Sequence, residues 1–548
     1  MSASESSTAM SDPSSSPTPS VSKYTRDRKS VDDESEKHLK MVDDESEQHL
    51  EIGYSKDTLD GRYLEKTQIL NEAIQNIGMG RYQWGLFIVT GFGWFADNLW
   101  PIVTGLILPP TVNEFNIKPE YLKIAQNLGL LVGAAFWGVG ADIWGRKISF
   151  NITMLIIAIF ALAAGGSPNF PALASFAALW SIGVGGNLPV DSAIFLEFIP
   201  ASHQYLLTVL SIWWGVWTAR RKLDPRLMQM QVAWPLMAKF SCATTVPGVD
   251  CPKSSNMGWR YFLIAMGGLM FVMWGLRFFA FRLYESPKYL MGKGRDADAV
   301  ETTSSLSVDL LASVDEKYDL KSEKDAKKEG HAEQAIRRQL SKFDSNHVKS
   351  LFASRKLAYS TTLLLIIWAL IGLAFPLYNS FITYYLATRG AEFGDGSVYI
   401  TYRNQAILSV VGVPGALLAG YMVDLPILGR RGTLSISTIL TGVFILVSPT
   451  SRTSNALLGW NCAYSFTSNV MYGVLYALTP ELFPTKDRGT GNALMSTANR
   501  IFGIIAPVIA LFADLTSSVP IFIAGAVFVA AGAIALLSPF RRTMVKPS

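Results

Sequence analysis

Two charged residues stand inside long apolar runs: Asp97 in GFGWFADNLWP and Arg500 in ANRIFGIIAP. An ionisable group at bilayer depth is costly and is retained where it faces a cavity or a partner, which makes Asp97 the candidate proton carrier. Its alternative use is a structural hydrogen bond between helices. Arg500 is suited either to pairing a carboxylate of a solute or to joining a charge cluster near the inner face. Other chemistries lack their parts. The five histidines, His38, His49, His203, His331 and His347, all lie in polar tails and loops, so no cluster presents a metal or a nucleophile. No Gly-x-x-x-x-Gly-Lys-Ser/Thr loop offers to cradle a nucleotide, which argues against a primary pump. The expectation is a chain that is not an enzyme, uses no metal or other cofactor and contacts no nucleic acid.

The elements that must position these residues are membrane helices. Of the 548 residues 49% are hydrophobic and only 17% charged, more apolar than a soluble core requires. The apolar residues cluster into spans near 84–108, 122–141, 148–166, 170–190, 261–281, 358–386, 401–423, 433–449, 455–478, 492–513 and 518–538. Each is long enough to cross roughly 30 Å of hydrocarbon as a helix. A damaged twelfth lies between 205 and 240. The fold class is therefore all-α and polytopic, with five domains: a disordered tail over 1–80, a six-helix bundle over 81–290, a cytoplasmic loop over 291–357, a second six-helix bundle over 358–541 and a short tail over 542–548. The first tail carries the near-duplicate VDDESEKHLKM and VDDESEQHLEI, and AEQAIRRQLSKF in the central loop reads as a short surface helix. No cleavable signal peptide is expected at the start of the chain.

Lysine and arginine set the orientation. Arg146 and Lys147, the central loop, Arg430 and Arg431, Lys486 and Arg488, and Arg541 and Arg542 all fall on connections of one side, which places both termini in the cytoplasm. Cys242 and Cys251 then land on the outer, oxidising side, as a disulfide or as two unpaired thiols. Cys462, inside a span, is expected to pack.

Between the second and third spans lies GVGADIWGRK, with Gly138, Asp142, Gly145, Arg146 and Lys147. The second half repeats the arrangement between its second and third spans in GYMVDLPILGRR, with Asp424, Gly429, Arg430 and Arg431. Glycines let helices meet closely at a tight turn, and an aspartate at a helix end meets the positive N-terminus of a neighbour. Two such turns at equivalent places argue for an internal repeat of six spans.

From about residue 80 to 542 the chain resembles the major facilitator superfamily, and the GVGADIWGRK turn is similar to that family's signature loop. LYESPKYL (283–290) and TPELFPTKDRGTG (479–491) resemble motifs of its sugar-porter-like members, and GVGGNLPVDSAIFLEFIP (183–200) resembles the branch of synaptic-vesicle-type proteins and many fungal transporters. The resemblance implies a secondary active transporter of a small organic solute, working as a monomer in the lipid bilayer, coupled to protons and placed in the plasma membrane rather than an internal one. A membrane sensor of the same fold, binding a solute without moving it, is the alternative. It further implies a cavity between the halves, lined from the first, fourth, seventh and tenth spans by Asn98, Asn187, Asp191, Tyr378, Asn379, Asn469 and Tyr472, with Arg500 from the eleventh. The cytoplasmic latch it implies comprises Gly138, Asp142, Gly145, Arg146 and Lys147, with Glu197, Glu285, Asp424, Arg430, Arg431, Glu481 and Arg488. Individually these charges also fit plain solvated loops.

The fifth span breaks the pattern. YLLTVLSIWWGVWTARRKLDPRLMQMQVAWPLMAKF places Arg220, Arg221, Lys222, Asp224 and Arg226, with Pro225, in its middle. At about 2.5 to 3.5 kcal/mol each, five central charges cost on the order of 12 to 17 kcal/mol before snorkelling. Residues 216–231 therefore read as a foreign insertion, such as a retained intron, or else as a real bulge. The expectation is a fifth helix interrupted or displaced between about 217 and 231.

Overall fold

The computed structural model describes residues 69–200, 203, 206, 225–242, 251–292, 295–304, 351, 352, 354–394, 397–425, 428–483, 488–513 and 517–538. Residues 69–77 are helical, with Leu70, Ala73 and Ile74 buried, so the polar tail gives way to structure before residue 80. The rest of that tail, the AEQAIRRQLSKF segment and the tail after 541 lie outside the described residues.

The first half runs α1 (Arg81–Leu106), α2 (Leu108–Phe115), α3 (Glu120–Trp144), α4 (Arg146–Ala164), α5 (Phe170–Phe198), α6 (Pro225–Phe240) and α7 (Gly258–Gly275), the last continued by a π-turn over Leu276–Ala280. Two short helices follow, α8 (Pro287–Gly292) and α9 (Asp296–Ser304). The second half runs α10 (Arg355–Asn379), α11 (Ile382–Glu392), α12 (Val398–Asp424), α13 (Gly429–Val447), α14 (Ser454–Leu482), α15 (Arg488–Phe512) and α16 (Val519–Leu537). Among the described residues nine helical stretches are long and apolar enough to cross a membrane. The spans outside that set are α3, α6 and α14. Of these, α3 and α14 hold many of the polar residues discussed below, and α6 has 16 residues.

The packing repeats between halves. In the first, α3 packs on α5 and α4 on α7; in the second, α12 packs on α14 and α13 on α16. Between halves, α3 meets α15 and α6 meets α12, the two contacts a twofold exchange of the bundles would generate. Glycines set the close approaches. A Cβ on Gly133 of α3 would stand 2.2 Å from the Ile182 carbonyl oxygen of α5, and one on Gly415 of α12 would stand 2.3 Å from the Phe466 oxygen of α14. Helix contact in lipid relies on such small residues, because there is no hydrophobic gain from leaving water.

At the end of the bundles away from the signature loops the halves are joined. The Tyr402 hydroxyl of α12 donates to the Leu106 carbonyl of α1, and Leu106, Ile107 and Tyr402 are fully buried. Beside them Glu114 of α2 accepts from Arg260 at 2.6 Å and from the Trp259 indole at 2.9 Å, tying α2 to the start of α7. Cys242 and Cys251 are bridged there, with Cα atoms 6.1 Å apart. Cys462 is half-buried, as a packing residue.

The fifth helix departs from expectation. Residues 225–240 form one continuous helix packed on α12 and α7, so 225–231 do not belong to an interruption. Pro225 takes the first helical position, where its missing N–H costs nothing. Between Pro225 and Gln231 only Arg226 is charged, which leaves the expense concentrated at 220–224. Residues 217–224 lie outside the described residues.

Candidate functional site

A cavity of about 310 Å³ opens between the two halves. The first helix of each half carries a proline at its wall, Pro101 in α1 and Pro376 in α10. Proline has no N–H to donate, so the helix ladder is broken beside the cavity in both bundles. One turn before Pro101 sit Asp97 and Asn98, both lining the space. Asn98 is steadied by donating to the Trp94 carbonyl at 2.8 Å.

Asp97 faces Arg500. Arg500 lies on α15, and its Nη2 reaches Asp97 Oδ1 at 3.4 Å while its Nη1 donates to the Leu130 carbonyl of α3 at 3.2 Å. One side chain of each sign, from opposite halves, thus shares one wall. Arg500 is therefore a cavity residue and does not join the inner charges.

Aromatic rings form much of the remaining wall. Trp94 of α1 meets Tyr476 of α14 edge-on at 6.4 Å between centroids, Trp368 of α10 meets the same tyrosine at 5.3 Å, and Tyr472 lies edge-on to Phe375 at 4.9 Å. Carboxamides complete it: Asn379 and Asn469, expected from the sequence, and Gln126, Asn127 and Asn499, which were not. Asn127 donates to the Gly503 carbonyl of the other half at 3.3 Å.

Three expected cavity residues stand elsewhere. Asp191 is fully buried in an ion pair with Arg277 at 2.5 Å, both side chains 0% exposed. Arg277 also donates to the Phe150 carbonyl at 2.9 Å and covers that ring, 3.1 Å from its centroid. Tyr378 donates to Asn461 Oδ1 within the second bundle. Asn187 is buried where α5 meets α1, and a Cβ on Gly93 would lie 3.3 Å from its own. Its neighbour Leu188 takes the cavity position. Arg277 and a second buried cation, Lys123, escaped the sequence reading, although both lie inside or at the edge of apolar spans, as Asp97 does.

The signature loop assembles as a capped turn. Gly145 adopts φ +110°, a conformation that only glycine takes freely, and lets α4 begin directly after α3. At that new N-terminus Glu285 accepts from the backbone N–H of Arg146 at 3.0 Å and of Lys147 at 3.3 Å. A carboxylate there meets unpaired donors and the positive helix end together. The Arg146 side chain pairs with Glu197 at the end of α5. The motifs around 138–147, 197 and 285 thus converge. In the second half Arg431 donates to the Leu536 carbonyl and Arg430 is half-buried. Gly138 has open space where a side chain would stand. The side chains of Asp142, Asp424, Glu481 and Arg488 lie outside those described.

Two bundles of six helices enclosing a charged cavity, with a carboxylate-capped turn at one end of the first, define a multi-pass integral membrane transporter. A sequence pattern for the sugar (and other) transporter family matches residues 243–543, more than half the chain. The chain belongs to that family of the major facilitator superfamily. It is 53% identical over 499 residues to the MFS siderochrome iron transporter 1 of Ceriporiopsis subvermispora, covering 89% of this chain and 92% of that protein. It is 23% identical over 471 residues to the synaptic vesicle 2-related protein of Xenopus laevis, covering 81% and 76%. The xylose transporter XylE of E. coli, in a partially occluded inward-open conformation, superposes with a TM-score of 0.57 at 15% identity, covering 82% of this chain and 98% of that one. At that identity the likeness concerns the fold.

Proposed function

We propose that this chain is a secondary active carrier of a small organic solute, alternating cavity access between the two membrane faces and driven by protons carried on Asp97. The observation that carries the reading is the Asp97–Arg500 contact, which joins the two halves at the cavity wall. A proton on Asp97 removes one side of that contact, so protonation and the relative position of the bundles are linked. The capped turn around Glu285, Arg146 and Glu197 serves as the first-half part of an inner latch. Its Arg146–Glu197 pair is largely withdrawn from water, with side chains 10% and 11% exposed, so separating the two partners on opening must be compensated elsewhere in the cycle. The carrier works as a monomer in the plasma membrane and performs no covalent chemistry.

The test is counterflow of labelled solute in proteoliposomes loaded with unlabelled solute. Exchange across the membrane is the expected outcome. Saturable binding without exchange sinks the carrier reading and leaves a solute sensor.

A further inference from the structure

Among the described residues, three of the ion pairs that join helices differ in a way that assigns them different jobs. Asp191–Arg277 closes at 2.5 Å with both side chains 0% exposed, and Glu114–Arg260 at 2.6 Å with 6% and 2%. Asp97–Arg500 is the loose one, at 3.4 Å, with side chains 22% and 13% exposed, and it is the one on the cavity. A guanidinium offers five N–H donors in a planar fork that matches a carboxylate. Among the described residues Arg500 bonds only Asp97 Oδ1 and the Leu130 carbonyl. Donors remain for a second anion.

We infer that the solute is a small monocarboxylate with a flat ring, its carboxylate taking Arg500 from Asp97 while the ring lies among Trp94, Trp368 and Tyr476. The inference rests on the carrier reading above and specifies the solute of that same site.

Charge decides against the alternatives. Arginine cannot shed its proton in a protein, so a cationic solute drawn to Asp97 would sit beside a permanent positive charge. An anion meets no such obstacle, because Asp97 can take a proton from water on the side of arrival and release it on the other. Guanidinium, solute carboxylate and neutral Asp97 then sum to zero charge in the cavity, which a low-dielectric site requires. The groups around Asp97 favour the same sign. Arg500 faces it from α15, the Asp191–Arg277 pair from α5 and α7 cancels internally, and Tyr472 and Tyr476 from α14 are neutral. Lys123 of α3 lies just behind the wall, donating to the Pro101 carbonyl at 2.8 Å and to Gln126 Oε1 at 3.1 Å, with no carboxylate bonded to it among the described residues. The cavity, about 310 Å³, lies near the lower end of the ~300–1,000 Å³ of ligand pockets, which fits one small ring. A neutral polyol would not need the arginine.

The experiment is calorimetric titration of the full-length protein in lipid nanodiscs with benzoate, 4-hydroxybenzoate, benzamide, benzylammonium and D-glucose at pH 5.5 and 7.5. Expected are binding of the two carboxylates, at least about tenfold weaker binding of benzamide, and tighter carboxylate binding at the lower pH. Arg500→Gln should weaken benzoate by roughly ten- to a hundredfold, with partial recovery in Arg500→Lys. Asp97→Asn should raise benzoate affinity at pH 7.5 and flatten its pH dependence, a readout that loss of folding does not mimic. The inference is overturned if neither carboxylate binds, if benzamide, benzylammonium or glucose binds as well as benzoate, or if Arg500→Gln leaves benzoate unchanged. Benzoate binding as described without benzoate counterflow overturns the carrier reading and leaves the solute assignment standing. Counterflow of a neutral solute without benzoate binding does the reverse.

Discussion

Asp97 and Arg500 are 403 positions apart in sequence, yet their side chains meet at 3.4 Å on one cavity wall. Neither is bound tightly enough by the other to be structural filler, and each retains exposure to the cavity. If Asp97 carries the driving proton, Asp97→Asn should abolish uphill accumulation of solute under an imposed proton gradient while sparing counterflow, because a carboxamide keeps the shape and loses the titration. Undiminished accumulation in that variant would assign the proton elsewhere.

Asp191 and Arg277 call for the opposite behaviour. With both groups wholly enclosed, removing one strands the other, at about 3 to 5 kcal/mol. The two single variants should not cost the same. Asp191→Asn leaves a guanidinium that cannot neutralise, whereas Arg277→Gln leaves a carboxyl group that can take a proton, so the first should lower the thermal midpoint in detergent more. The double variant should recover part of the loss. Equal and additive losses in the double-mutant cycle would mean that the pair is not coupled.

Close helix contacts in lipid rest on missing side chains, and Gly133 is a sharp test. Its Cβ would lie 2.2 Å from a backbone oxygen of α5, where nothing flexible can yield. Gly133→Ala should cost about 1 to 3 kcal/mol and lower the melting midpoint. Gly268 of α7 has nothing within 4 Å of the added methyl, so Gly268→Ala should be neutral or stabilising through helix propensity. Similar midpoints for the two variants would contradict the packing.

The fold was legible because spans of about 20 apolar residues have few other uses, and because the two glycine-arginine turns expose the repeat. Asp97 was legible for the same reason: a carboxylate inside hydrocarbon is anomalous wherever it points. Direction is what the sequence withheld. Asn187 and Leu188 are adjacent, but helical rotation buries the first and turns the second to the cavity. Asp191 looked like a cavity residue until its partner Arg277, 86 positions later and at the end of another span, came into contact. The aromatic wall was hidden by abundance, since 14 tryptophans and 30 phenylalanines leave any one of them unremarked. The convergence of Glu285 with the signature loop depends on tertiary approach over 139 positions, which no local spacing encodes.

The fifth span yields the last prediction, and the structure sharpens it. The helix Pro225–Phe240 has 16 residues, about 24 Å at 1.5 Å per residue, short of the roughly 30 Å needed to cross. Its Trp234 ring packs at a tilt against Tyr399 of α12, 5.2 Å between centroids, so this portion is docked between the halves and is native in character. The costly residues are Arg220, Arg221, Lys222 and Asp224, all before the helix begins. If they are foreign, the mature transcript lacks a stretch inside codons 216–231, and sequencing across codons 210–235 should show the gap. A variant lacking 216–224 joins YLLTVLSIWWG to α6 and keeps every described helical residue, so it should insert and exchange solute better than the full chain. A variant lacking 216–231 should do no better than that, because it also removes helical residues 225–231. A transcript that encodes TARRKLDPRLMQ, together with equal transport by the full chain and the 216–224 deletion, would establish the insertion as a genuine part of the protein.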